Sequence, residues 1–104
     1  MRIGRVVGKV SLEKVHPSLA GKRYVLTQPL SLAMLAGKDG APPEELVVLD
    51  ELGASPEVRI GFSEGGEAAA PFFPEKKPVD AYAACLIDDL VLAAGPIAKL
   101  LERE

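Results

Sequence analysis

The sequence predicts an all-β protein: a single small barrel, closed or partly closed, of about five short strands with helical turns between them. Three observations lead there. The chain has 104 residues, which suits one domain with a modest core. Ten Gly and nine Pro are spread along its whole length and cut it into short pieces. The pieces between them mostly alternate or run apolar over strand lengths, and few carry a helical period.

Residues 2–14 read as the first strand. Gly4, Val6, Gly8, Val10 and Leu12 fall on one face, and Ile3, Arg5, Val7 and Lys9 on the other. The missing side chains at Gly4 and Gly8 let another backbone approach closely or let a barrel strand bend. His16 to Gly21, HPSLAG, is a turn cluster. The second strand runs from Lys22 to Gln28, with Tyr24 and Leu26 facing opposite to Val25 and Thr27, and Pro29 ends or edges it. The stretch LSLAMLAG fits either a helical turn or a continued strand. Lys38 to Glu45 is a surface loop, because Asp39-Gly40 is a turn dipeptide and two prolines follow.

Residues 46–49, LVVL, form a short buried strand that Asp50 to Pro56 breaks. Residues 57–62 alternate strictly, with Val58, Ile60 and Phe62 on one face. A long loop then runs from Ser63 to Pro78, holding one helical turn at Glu67 to Ala70 that Pro71 stops. Residues 79–92 are the last long apolar segment, and their small and β-branched side chains suit a crowded central strand. The tail, residues 96–104, opens with Pro96 at a first helical position and sets Ile97, Leu100 and Leu101 on one face. It reads as a short amphipathic helix docked on the body or on a neighbour. No repeat or linker divides the chain, so residues 1–104 form one domain.

Composition narrows the function. Twelve basic residues against 15 acidic ones leave a net charge of −3, which argues against a general nucleic-acid binder. Aromatics are 5% and Trp is absent, so there is little material for stacking bases. The lone Cys85 excludes an internal disulfide and a Cys-rich zinc site, and the lone His16 excludes a two-histidine metal motif. Arg2, Arg5 and Lys9 interrupt any N-terminal apolar segment, and the apolar stretches near residues 30–36 and 90–94 are far too short to span a membrane. A cytosolic, reducing setting is expected.

The candidates for chemistry are few. His16 sits before a proline in a turn and reads as a surface histidine with no nucleophile tied to it. Cys85 has apolar neighbours and reads as buried and inert. Asp88 and Asp89 point to opposite faces of a strand and read as surface charges at its end, as do Asp50 and Glu51. Ser63 to Glu67, SEGGE, could form an anion-binding nest of backbone amides, but without the lysine and spacing of a Walker loop it reads as a tight surface turn. The residues support no catalytic site.

Three stretches together resemble the pentameric vertex proteins of bacterial microcompartment shells, a family that includes the ethanolamine-utilisation and carboxysome vertex proteins. They are MRIGRVVGKV at the N-terminus, DELGASPEVRIGFSEGGEAA from Asp50 to Ala69, and KKPVDAYAACLID from Lys76 to Asp88. Ser55, Pro56, Gly66 and Glu67 depart from that family's usual small and hydroxyl residues. HPSLAGKR and QPLSL are similar to the subgroup associated with fucose- and rhamnose-degrading compartments.

The resemblance implies an OB-like five-stranded barrel that assembles as a cyclic homopentamer and caps shell vertices beside hexameric and trimeric shell proteins in the cytoplasm. It implies no cofactor, no metal, no catalysis, no nucleic acid and no membrane. Ser63, Glu64, Gly65, Gly66, Glu67 and Ala68 become candidates for a loop crowding the five-fold axis, where carboxylates would disfavour anions. Val79, Asp80, Tyr82, Ala83 and Ala84 become candidates for the subunit interface. The competing reading is a monomeric OB-type module binding single-stranded nucleic acid or an oligosaccharide. It needs exposed aromatics from among Tyr24, Phe62, Phe72, Phe73 and Tyr82.

Overall fold

A computed structural model describes residues 1–103. Its five strands are β1 (Arg2–Val10), β2 (Tyr24–Pro29), β3 (Leu46–Leu49), β4 (Arg59–Glu64) and β5 (Ala81–Leu86). They close into a barrel in the order β1-β2-β3-β5-β4. Every pairing is antiparallel except β3 with β5, which run parallel and share the single register pair Leu49 and Tyr82. Closure leaves few free strand edges, as a small all-β chain requires.

Burial follows the pleat. Val6, Val25, Val48, Ile60, Phe62, Ala81 and Ala83 point inward and form the core, with Ala54 buried against them and Leu46 and Val58 packed at its margin. Gly4 lies where the core is tightest. A Cβ there would stand 2.5 Å from Thr27 Cγ2 and 3.0 Å from Phe62 Cε1, so glycine is needed for β1, β2 and β4 to meet.

Short helices fill the gaps. Ser31 caps α1 (Leu32–Leu35) by accepting a hydrogen bond from the Met34 N–H, which decides the LSLAMLAG stretch in favour of a helical turn. α2 (Gly66–Ala69) follows β4, and Pro71 does not end the helical path: residues Ala70–Phe72 continue it as a tighter 3₁₀ turn. Proline is tolerated there because its missing N–H falls in a first turn, where no partner is required.

Several expected boundaries shift. β1 ends at Val10, and its pairing slips between Val6 and Gly8. The bulge at Val7 turns Gly8 away from the Gly4–Val6 face, so that it pairs with Leu26 instead. β4 starts at Arg59, not at residue 57, because Glu57 adopts φ +77 and Val58 still belongs to the preceding turn. The N–H of Glu57 bonds to the Val6 carbonyl, and the N–H of Val6 bonds to the Val58 carbonyl. Ser63 and Glu64 therefore end a strand and do not belong to the loop. Of the expected strand 79–92, only Ala81–Leu86 pairs. The flanking residues form no ladder: Asp80 and Ile87 make single backbone bonds, to Gly65 and to Arg59, and the strand pairing goes no further.

The tail helix, α3 (Ala94–Leu101), begins before Pro96, which occupies its third position. No residue of α3 is buried. Its Ala98 and Leu101 border an open cleft shared with Ala33, Lys38 and Gly40. Glu104, the last residue of the expected tail helix, lies outside the described residues.

Candidate functional site

The loop from Gly65 to Asp80 is one of the two longest connections between strands, and its chemistry begins at its ends. Gly65 has φ +63, a conformation that glycine reaches at least cost. Its N–H bonds to the Asp80 carbonyl at 2.9 Å, so the two ends of the loop are tied together. Between them α2 packs on β4 and β5, with Ala68 fully buried beneath it. Gly66 and Glu67 stay exposed. Glu64 is held by Arg2 at 2.9 Å, and the same guanidinium stands 5.7 Å over the Phe62 ring. The six candidate axis residues thus divide into three roles. Ser63 and Glu64 end β4, Gly65 to Glu67 form the exposed turn, and Ala68 anchors it from below.

The far side of the loop is latched by side chains drawn from four separate segments. Phe72 meets Tyr82 edge-on, with centroids 5.4 Å apart. Lys22 and Lys77 lie 5.6 and 5.3 Å from the centre of the Phe72 ring. Tyr82 donates to Glu51 at 2.7 Å, Lys22 pairs with Glu51 at 2.9 Å, and Lys77 donates to the Ser18 carbonyl at 2.5 Å. The hydrogen bonds from Lys22 and then Tyr82 hold the Glu51 carboxyl below its ordinary range. The bond to Glu51, followed by burial, pushes the Tyr82 hydroxyl up.

The candidate interface residues also divide. Ala83 is 1% exposed and belongs to the barrel core, so it presents nothing to a neighbour. Tyr82 spends its hydroxyl within the protomer. Val79 is half-buried, while Asp80 and Ala84 are exposed. Ala84 is the extra residue of a bulge, since Phe62 pairs with Ala83 and Gly61 with Cys85.

Asp50 is the clearest correction. It is 1% exposed and no surface charge. Its two carboxylate oxygens accept the N–H groups of Leu52 and Ala54, both at 2.8 Å, and Arg23 lies 3.4 Å away. Arg23 also donates to the Ala54 carbonyl. The ion pair folds the DELGA turn back over the end of β3 and presents Glu51 to the latch. Sequence reasoning missed it because the arginine comes from a distant segment. The available signal was an Asp at a strand end followed three residues later by Gly53, whose φ is +78.

Cys85 is half-buried and not fully enclosed; its sulfur lies against the open backbone of Gly61. His16 is exposed, and its Nδ1 accepts the Ser18 N–H to cap the following turn. Asp88 and Asp89 are exposed. Among the described residues no three His, Cys, Asp or Glu side chains gather as metal ligands, and no helix is long and apolar enough to cross a membrane.

The aromatics do not form a stacking row. Phe62 is core, Phe72 and Tyr82 are latched, and Tyr24 donates to the Leu19 carbonyl at 3.2 Å. Phe73, 85% exposed, stands apart in the loop.

Comparison with known proteins agrees with this geometry. Residues 1–88 match a family described as ethanolamine utilisation protein EutN/carboxysome. The chain is 34% identical over 98 residues to the carboxysome shell vertex protein CcmL of Gloeobacter violaceus, covering 93% of this chain and 92% of that one. The solved structure of the Gloeobacter CcmL superposes with a TM-score of 0.74 at 34% identity, covering 88% of this chain and 90% of the other. The GrpN pentameric microcompartment shell protein from Rhodospirillum rubrum shares the fold, with a TM-score of 0.72 at 24% identity over 89% of this chain and 100% of that one. With the barrel, the loop and the match over residues 1–88 in agreement, this chain belongs to the EutN/CcmL family.

Proposed function

We propose that this protein is a structural shell component: a cyclic homopentamer that caps the vertices of a bacterial microcompartment. The observation that carries this reading is the likeness, over more than nine-tenths of both chains, to a protein named as a carboxysome shell vertex protein. The reason such a part is needed is geometric. Flat hexagonal tiling cannot close a surface, and five-fold positions supply the missing curvature. Hexameric and trimeric shell proteins are the neighbours this implies, and the cytoplasm is the setting. The task is to seal corners and involves no catalysis, cofactor, nucleic acid or membrane.

Within the ring, Gly65, Gly66 and Glu67 would crowd the five-fold axis. Small residues suit that crowding, and the burial of Ala68 gives the turn a fixed base. The ion pair between Glu64 and Arg2 cancels one of the two candidate axis carboxylates, so Glu67 is left to set the sign of the axial field. Val79, Asp80 and Ala84 remain the outward candidates for contact with a neighbour.

Native mass tests the reading. Five copies of an 11.0 kDa chain give about 55 kDa, and a heterologous contact that closes after five rotations yields one sharp species. A monomer at micromolar concentration would overturn it.

A further inference from the structure

The outer face shared by β1 and β4 carries an unresolved conflict. Arg5 and Arg59 stand directly opposite each other in antiparallel register. Like charges in that position repel and destabilise the pair. The register cannot slip to relieve them, because the adjacent pair, Gly4 and Ile60, is fixed by the buried core. Among the described residues the ion pairs are Arg2–Glu64, Lys22–Glu51, Arg23–Asp50 and Lys77–Glu75. None reaches Arg5 or Arg59. The N–H of Ile87 bonds to the Arg59 carbonyl, yet Asp88 and Asp89, which follow it, pair with neither arginine.

Beside the arginines the same face is apolar. Ile3 pairs with Gly61, and Gly61 pairs with Cys85. A Cβ on Gly61 would stand 2.6 Å from Cys85 Sγ and 2.9 Å from Met1 Sδ, so its absence lets both sulfurs lie down over β4. An apolar centre with a charged border is the anatomy of a protein interface.

Another side of the barrel carries the complement. Val47, 47% exposed, lines a shallow cleft with Leu19, Val79 and Asp80 on the outside of β3 and β5. Glu44 and Glu45 lead into β3, and Asp80 leads into β5; all three are exposed and none joins an ion pair among the described residues.

Resting on the homopentamer reading, we propose that neighbouring copies dock through these two unlike faces, with the Arg5–Arg59 pair of one protomer set against the Glu44, Glu45 and Asp80 carboxylates of the next. Two different patches on one protomer make a head-to-tail contact, which is what a closed ring requires. The repulsion left inside each protomer is relieved only on assembly. The arginines thereby favour the ring over the isolated barrel.

Light scattering across a concentration series, with circular dichroism to follow the fold, tests this. The wild-type mass is read first, and a monomer there ends the pentamer reading itself. Given a wild-type ring, Arg5→Glu with Arg59→Glu should raise its dissociation concentration at least tenfold while the barrel spectrum persists. Adding Glu44→Lys, Glu45→Lys and Asp80→Lys to that chain should restore the ring. The neutral pair Arg5→Gln with Arg59→Gln keeps the test open if reversal unfolds the barrel. It should loosen the ring tenfold or more yet raise the urea midpoint of the dissociated chain. A wild-type ring whose dissociation is unmoved by either arginine pair, or a reversal that the lysines fail to rescue, overturns the docking proposal and leaves the pentamer standing.

Discussion

Two of the segments that leave the barrel, one on each side of β5, are held in opposite ways. The loop from Gly65 to Asp80 is tied at both ends by a backbone bond, anchored from below by Ala68 and latched by Phe72 to Tyr82, Lys22 and Lys77. The tail from Ile87 to Arg103 has one bond back to β4 at its start, and no residue of its helix is fully buried. Both segments are comparable in length, and both contain helical turns. The difference shows that helical pattern alone does not secure a segment outside a small barrel; side chains contributed from elsewhere do. It also coincides with the family match, which stops at residue 88, where the anchorage stops.

The largest effect is expected at the root of the latch. Asp50→Ala removes a fully buried carboxylate, leaves two N–H groups unpaired and strips Arg23 of its partner. Breaking such a pair should cost about 2–4 kcal/mol. Urea unfolding measures the loss, and proteolysis should show the 65–80 loop opening with it while the tail is unchanged. A loss under about 1 kcal/mol would mean that the DELGA turn is held by its backbone alone. Phe72→Ala comes next, at about 1–2 kcal/mol, since it loses the edge contact to Tyr82 and both lysine contacts. Faster cleavage near Lys76, without a matching change near Lys99, is the expected signature. Equal cleavage at both sites would erase the contrast between loop and tail.

These anchors explain what was legible beforehand. Alternation in β1, β2 and β4 could be read because each strand has one face in the core, and Val6, Val25, Thr27, Ile60 and Phe62 all turn inward as the pattern predicts. The bulges at Val7 and Ala84 could not, because a bulge depends on the register of the partner strand. Residues 87–92 have strand composition, but only Ile87 keeps a backbone bond to β4, so a local pattern overstated β5. The loop could be delimited, and its small residues noted, from composition alone. Its latch could not, because Lys22, Glu51, Phe72 and Tyr82 meet only after the barrel closes. Ala83 was misassigned to an interface for a related reason: small side chains mark a crowded strand without saying which side is crowded.

The latch should also respond to pH, and the loop should respond alone. Glu51 titrates below its ordinary value in the folded chain because Lys22 and Tyr82 hydrogen-bond its charged form. Its contribution is therefore complete above the ordinary carboxylate range, near pH 4.3, and fades as the pH drops through the lowered folded value. Tyr82 is raised, chiefly by its bond to Glu51, so its contribution is complete below its ordinary value and fades as the pH climbs through the raised one. Loop protection followed by hydrogen exchange should fall at both extremes, and Glu51→Gln should abolish the acid limb and shrink the alkaline limb, because it also removes the charge that raises Tyr82. An acid limb that survives Glu51→Gln would assign it to another carboxylate.

The smallest effect is expected in the tail, and it is the most telling for the contrast. Gly95 is the second residue of α3, and a Cβ there would meet nothing but its chain neighbours. Gly95→Ala should favour the helix locally by less than the roughly 0.5–1 kcal/mol of an interior position, because the new Cβ stands beside the Pro96 ring. In a segment joined to the barrel by one backbone bond, that gain should not reach the barrel, because local opening and global unfolding are separate equilibria. Helical signal by circular dichroism should rise slightly while the urea midpoint of the barrel stays put. A midpoint that rises with the helical signal would make α3 part of the cooperative unit. The half-buried Ile97 and Leu101 and the exposed Leu100 would then mark the face through which the helix is held.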